Sequence, residues 1–272
     1  MTTSRASKSG SGGSRLRRAW RRIPRSLRIG LPLLLALAAL SPYPELLRWM
    51  RPGHTSLMHQ RMREAREHDQ VLSIQREWLD LEDIDATLVR AVLIAEDQRF
   101  FLHDGVDWLA LAEELHYQGD GSFEWWDVGD WASVAQALRY YRSHADEVKG
   151  RSTITQQLAK NLYFGTERSL TRKVRELVVA KRMEWFLPKE RILELYLNVV
   201  ELGPGVFGVE AAAQAYFSRS AADLSRAQAA SLAATLPHPL TSNPDHRPSR
   251  MAWRRDLILR RLARGEDAPR PE

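Results

Sequence analysis

Asp83–Asp107 reads DIDATLVRAVLIAEDQRFFLHDGVD, and its first half decides the fold class. Ile84, Leu88, Val92 and Ala95 recur at helical spacing, with Ala91 and Ile94 beside them, so they form one apolar helix face. The same period returns downstream. Thr153 followed by Gln156 has capping-box form and opens Ile154–Phe164. Thr171 caps an expected helix through Phe186, with Val174, Leu177 and Val178 inward. Pro188 starts another, whose face is Ile192, Leu195, Tyr196 and Val199. Gly203, Gly205 and Gly208 then break the pattern. An Ala-rich helix follows over Val209–Tyr216, and Ser225 with Gln228 caps Ala229–Leu236. Pro237, Pro239, Pro244 and Pro248 make an extended stretch before a last amphipathic helix, Met251–Leu262. No run alternates with period two for long and no internal repeat occurs, so the fold class is mainly α.

Upstream of this helical region the composition changes. Residues 1–28 hold nine Lys/Arg and no Asp or Glu. The whole chain of 272 residues carries +6, so without that arm the rest is −3. The basic character is therefore local, and it argues against a nucleic-acid-binding face. Ile29–Leu40 follows as a leucine-rich run, interrupted by Pro42, Pro44 and Glu45 and resumed by Leu46, Leu47, Trp49 and Met50. The reading is a disordered basic cytoplasmic arm over 1–28, a transmembrane anchor over 29–50, and one external domain over 51–272. A cleaved secretory signal is the competing reading, but no small-residue cleavage site stands out. Cysteine is absent. That excludes disulfide scaffolds, Cys-ligated zinc, iron–sulfur clusters and a thiol nucleophile.

Three clusters carry chemistry. Glu96-Asp97 closes the first apolar helix, where a partly desolvated carboxylate suits a general base; read alone, a helix-end acid paired with Arg99 or His103 is the plainer account. Gly150–Asn161 places Ser152, Thr153, Gln156 and Gln157 at a helix start, with Lys160 one turn on from Gln156. Arg168, Arg172, Lys173 and Arg175 surround the acid Glu176, as a diphosphate site would require, although such a run is more often a solvated face and also suits anionic lipid heads. One carboxylate to take a proton and a separate cationic group to hold a leaving diphosphate together describe displacement at an anomeric carbon.

On these residues the chain resembles the monofunctional biosynthetic peptidoglycan glycosyltransferases of glycosyltransferase family 51. The first motif of that family is met by Glu96, Asp97, Phe100, His103, Gly105 and Asp107; the second by Ser152 to Asn161; the third by Arg172, Lys173 and Glu176. The fourth runs from Lys189 through Tyr196 and Asn198 to Gly203 and Gly208, and the fifth is the Ala-rich run ending at Pro237 and Pro239. The resemblance implies a lysozyme-like helical glycosyltransferase domain behind the anchor, on the external side of the cytoplasmic membrane. It implies polymerisation of lipid II onto a growing glycan strand by inverting displacement of undecaprenyl diphosphate, with β-1,4 bonds formed between N-acetylmuramic acid and N-acetylglucosamine. Glu96 would be the base and Glu176 a second catalytic acid near the donor. Asp97, Ser152, Gln156, Gln157, Lys160, Arg168 and Arg172 would bind substrate. Mg²⁺ or another divalent cation often accompanies the family, but the sequence shows no dedicated metal-ligand spacing. Other cell-wall synthases are the expected protein partners.

The sequence departs from the family in two places. Arg151 stands where a small residue is usual, and the span between the first two motifs is longer, with an insertion at about 117–149. The insertion holds Trp125, Trp126 and Trp131, expected either at the membrane interface or in a small packed hairpin, and a short helix over Val134–Tyr141. His103, Tyr196 and Asn198 are expected to fix loops and core. The alternatives are a membrane-anchored lytic transglycosylase or muramidase, which has no need of the cationic cluster, and an inactive cell-wall scaffold. Transpeptidation is excluded, because neither Ser-x-x-Lys nor Lys-Thr-Gly occurs.

Overall fold

A computed structural model of the chain describes residues 42–114, 152–166 and 169–269, together with Gln136. The chain divides into two compact units, Met1–Tyr43 and Pro44–Glu272. The basic arm, the expected anchor as far as Ser41, Arg151, Arg168 and the tryptophan cluster lie outside the described residues. So does the expected helix at 134–141, apart from helical Gln136. Among the described residues no helix is long and apolar enough to cross a membrane. The end of the expected anchor is instead part of the helical unit. Pro44–Arg48 forms a 3-10 turn with Pro44 and Leu47 buried. Glu45 pairs with Arg182, and Arg191 donates to the carbonyls of Leu47 and Met50 at 2.9 Å each. The unit thus begins at Pro44 rather than at residue 51.

The first helix is α1 (Ser56–Glu67). Its fold signal is the Thr55 cap, whose hydroxyl accepts from the Met58 N–H at 3.2 Å, and it buries only Leu57 and Met58. Helix α2 (Ala86–Glu96) is capped by Asp85 and buries Leu88, Ala91, Val92, Leu93 and Ile94. After α3 (Trp108–Glu114), α4 (Ile154–Ala159) begins at Thr153, as expected. It widens into a π-turn over Lys160–Phe164, the kind of irregularity that re-aims a side chain.

Helix α5 (Leu170–Phe186) is capped by Ser169, two residues before the expected Thr171. Its buried face is Glu176, Val179, Ala180 and Met183, at i, i+3, i+4 and i+7, whereas Val174 and Val178 point outward. Apolar residues lie all round this helix, so counting them does not choose a face; the carboxylate seated inside by its cations does.

In α6 (Lys189–Val199) the expected face Ile192, Leu195, Tyr196 and Val199 is buried. The glycine-rich segment then folds as a small antiparallel hairpin, β1 (Glu201–Gly203) and β2 (Val206–Phe207), too short to show alternation in the sequence. Gly208 leads from it into α7 (Val209–Phe217) with φ 81° and ψ 156°, and a Cβ there would lie 2.8 Å from the Asn198 carbonyl oxygen. Helix α8 (Arg226–Thr235), opened by a Ser225–Gln228 capping box, runs through the core. Its buried Ala229, Ala230 and Ala233 let α2 and the last helix, α9 (Pro248–Ala263), pack closely against it.

Candidate active site

Glu96 and Asp97 leave the end of α2 in different directions. The Glu96 side chain is 11% exposed. Its Oε1 accepts from Arg254 Nη2 at 2.7 Å and its Oε2 from Gln157 Nε2 at 2.9 Å. Gln157 cannot turn its amide freely, because Tyr196 donates its hydroxyl to Oε1 at 2.9 Å. Burial and the negative charges of Glu96 and Asp97 push the Tyr196 hydroxyl well above its ordinary pKa, so it remains a donor. Asp97 turns into the protein. It accepts from the Ile154 N–H at 3.0 Å, and His103 Nε2 lies 3.0 and 3.1 Å from its two oxygens. It braces α2 against the start of α4 and is set apart from the residues grouped around Glu96. Of the two helix-end acids it is Asp97, not Glu96, that takes the expected partner His103, while Arg99 lies on Asp107 at 3.2 Å.

The remaining motif residues build the frame of this end of α2. Gly105, at φ 81°, presents its carbonyl to the Thr153 hydroxyl at 2.7 Å; a Cβ there would meet Glu184 Cγ at 3.1 Å. Lys189 donates to the His103 carbonyl at 2.5 Å and sits 4.4 Å from the centre of the Phe100 ring. Asn198 is fully buried and exchanges hydrogen bonds of 2.8 Å with both backbone groups of Leu79. Tyr196 and Asn198 thus fix core and loop, and Tyr196 in addition orients Gln157.

The cationic cluster gathers at the start of α4 and of α5. Glu176 is 2% exposed, pairs with Arg172 and lies 3.6 Å from Lys173 Nζ. Lys173 donates to Ser152 Oγ at 2.9 Å and Gln156 Oε1 at 3.2 Å. Ser152, Gln156, Arg172, Lys173 and Glu176 are therefore one connected group, with the carboxylate as its anchor. Lys160 opens the π-turn beside them. Burial lowers its pKa first and the charge of Arg172 adds to that; Glu201 and Glu96 act in the opposite direction. Burial and the charges of Arg172 and Lys160 likewise lower Lys173. Two lysines held in surroundings that disfavour their charge are poised to receive an anion.

A cleft of about 320 Å³ lies in front of Lys160, lined also by Gln157, Asn161, Arg61, Glu201 and the Leu236–Thr241 loop. Gln157 connects the two halves of the site: its amide holds Glu96, and its side chain lines the cleft beside Lys160. Glu201 is 5% exposed and holds Arg61 through two bonds of 2.7 and 2.8 Å. Arg61, Glu201 and Arg254 were not singled out in the sequence. Arg61 and Glu201 are 140 positions apart, Arg254 and Glu96 158, and no local pattern marks any of them. Among the described residues no group of three or more His, Cys, Asp or Glu is placed to hold a metal ion.

Comparison with known proteins bears on this arrangement. The transglycosylase family profile matches residues 64–124 and 118–263. The chain belongs to the transglycosylase family. Its relatives include proteins called biosynthetic peptidoglycan transglycosylase. That of Bordetella pertussis is 44% identical over 188 residues, covering 69% of this chain and 70% of the relative. That of Herminiimonas arsenicoxydans is 39% identical over 215 residues, covering 79% and 83%. That of Brucella suis biovar 1 is 37% identical over 219 residues, covering 79% and 84%. The two matched segments of this transglycosylase meet at 118–124, where its sequence enters the long span between the first two motifs.

Proposed function

We propose that this peptidoglycan glycosyltransferase of cell-wall synthesis polymerises lipid II, with Glu96 as base and Lys160 at the leaving diphosphate. The observation that carries the reading is the bridge through Gln157, which fixes the Glu96 carboxylate and lines the cleft beside Lys160. A carboxylate has about four lone-pair sites and Gln157 and Arg254 use two, so about two remain, and one of them can accept the 4-hydroxyl of the acceptor sugar. Glu96 takes that proton, the freed oxygen attacks the anomeric carbon of the donor, and the bond from that carbon to the diphosphate oxygen breaks. Attack opposite the leaving group inverts the centre and gives a β-1,4 bond. Negative charge gathers on the departing undecaprenyl diphosphate, where Lys160 meets it in a partly buried site that strengthens the attraction. By the same resemblance Arg168 acts on the leaving diphosphate as well. Ser152, Gln156, Arg172 and Lys173, ordered on Glu176, support the same phosphates. Asp97 serves by holding α4 in place.

In this reading residues 1–28 are cytoplasmic, the apolar run from Ile29 crosses the cytoplasmic membrane once, and the helical unit lies outside. Both lipid-linked substrates then share its surface, along with any other synthases working on the strand. The test is purified full-length protein with labelled lipid II. The wild type makes polymer; Glu96→Gln retains substrate binding but polymerises at least about 10²-fold more slowly, as loss of a general base requires. Normal polymerisation by Glu96→Gln would overturn the base assignment. Release of fragments from finished glycan without any polymer would instead make the chain a lytic enzyme.

A further inference from the structure

The cleft in front of Lys160 holds an acid, Glu201, that the displacement chemistry does not use. Glu201 opens β1, is buried, and has both oxygens taken by one guanidinium: Arg61 Nε donates to Oε1 at 2.7 Å and Nη2 to Oε2 at 2.8 Å. Arg61 is itself fixed. Its Nη1 donates to Glu64 Oε2 at 2.8 Å, and Gln60 Nε2 donates to Glu64 Oε1 at 2.6 Å. The Gln60 amide also clasps Thr166, just past the π-turn, donating to its hydroxyl at 2.6 Å and accepting from its N–H at 2.8 Å. A bidentate pair with these bonds behind it holds one geometry. Through it α1 ties the carboxylate of β1 to the segment that carries Lys160.

Lys160 has the opposite character. The acids near it belong to arginines: Glu201 to Arg61, Glu176 to Arg172 and Glu96 to Arg254. Among the described residues Lys160 closes no ion pair, although Arg172 and Lys173 from α5 and Arg61 from α1 crowd it with like charge and His238 lines the cleft with it. Glu201 and then Glu96 are the acids that favour its charge. A half-buried lysine among cations drifts to the neutral amine, which holds phosphate poorly. One pressed against a carboxylate stays charged, but phosphate must then displace that partner. A carboxylate kept near yet tethered avoids both faults.

We propose that Glu201 is the resident counter-charge of Lys160, and that Arg61 holds it where it steadies the ammonium without pairing with it. Arg61 and Glu201 are then positioning residues. They act on an incoming phosphate through Lys160, whose Nζ they leave open. That Lys160 receives a diphosphate rests on the function proposed above, and the test separates the two.

The chain has only six lysines, so their methyl signals can be assigned one by one. Full-length protein in detergent is reductively methylated with isotope-labelled formaldehyde, which keeps the charge. The Lys160 signal, identified by its loss in Lys160→Arg, is followed by NMR against pH. The expected titration moves to lower pH in Glu201→Gln and to higher pH in Arg61→Met. Loss of a neighbouring carboxylate favours the neutral amine, and loss of a neighbouring guanidinium favours the ammonium. Calorimetry with inorganic pyrophosphate at pH 7 gives a second readout. Arg61→Met should weaken binding at least about tenfold, the worth of one hydrogen bond to a charged group, because the freed carboxylate closes on Lys160. Adding Glu201→Gln to that variant should restore most of the loss. The double variant leaves neither charge buried alone, so it keeps the titration readable if thermal melts show that a single variant unfolds. Its Lys160 signal should still move to lower pH, since Glu201 acts on Lys160 more strongly than Arg61 does. A Lys160 titration unmoved by loss of Glu201, or a double variant that binds pyrophosphate no better than Arg61→Met, would reduce the pair to a clasp between α1 and β1 and overturn the proposal. Shifts of the expected sign in a protein that makes no polymer from lipid II would overturn the function proposed above and leave the counter-charge standing; polymer without those shifts overturns the counter-charge alone.

Discussion

The carboxylate of Glu96 has two anchors of different origin, Gln157 on one oxygen and Arg254 on the other. Arg254 also donates to the Ala95 carbonyl at 3.0 Å, and Arg261 to the Ile94 carbonyl at 2.8 Å, so α9 satisfies the open carbonyl end of α2 and aims its last side chain. Arg254→Met should leave the fold standing and let the carboxylate swing. We expect turnover to fall about 10- to 100-fold with KM little changed, and Arg254→Lys to restore part of it, both read from initial rates of lipid II polymerisation. An unchanged rate in Arg254→Met would remove the guanidinium from the positioning of the base. Gln157 could be found in advance because it stands among the polar residues at the start of α4. Arg254 could not, because one arginine among Arg250, Arg254, Arg255, Arg260 and Arg261 looks like any other until α9 is docked.

Local stereochemistry rules at the scale of elements. The passage from the hairpin into α7 depends on Gly208, whose φ and ψ lie in a region essentially closed to other residues and whose missing side chain makes room for the Asn198 carbonyl. Gly208→Ala should destabilise the protein by about 1–3 kcal/mol or more, seen as a lower Tm in thermal unfolding; an unchanged Tm would mean that the turn relaxes without cost. The glycine was visible in the sequence as a break, but the hairpin around it was not, since strands of three and two residues leave no period to read. Helix α5 shows the opposite case. Its existence followed from its period, yet its orientation did not, because valines line both sides and the choice falls to Glu176, which stays buried only where Arg172 and Lys173 can reach it.

For the molecule as a whole, the site is a place where stability is surrendered to binding. Lys160 sits where burial and Arg172 disfavour its charge. A lysine whose pKa is lower folded than unfolded destabilises the fold at neutral pH. That cost fades as pH rises through the folded pKa towards the unfolded value near 10.4. Lys160→Met should therefore abolish polymerisation and yet raise stability at pH 7 by about 0.5–2 kcal/mol, with the gain shrinking towards pH 10; thermal melts across that range check it, and a gain constant with pH would count against burial of charge as its cause. The sequence by itself determined the helical class, the order of the motif residues and the separation of the acid Glu96 from a group of cations, because helical period and charge are written locally. Only the tertiary structure decided that Asp97 is a brace, that Arg254 holds the Glu96 carboxylate, that Arg61 and Glu201 join the cleft, and which face of α5 looks outward. Each of these depends on which distant partner arrives to satisfy a buried charge or an open helix end, and the chain does not record that in any one place.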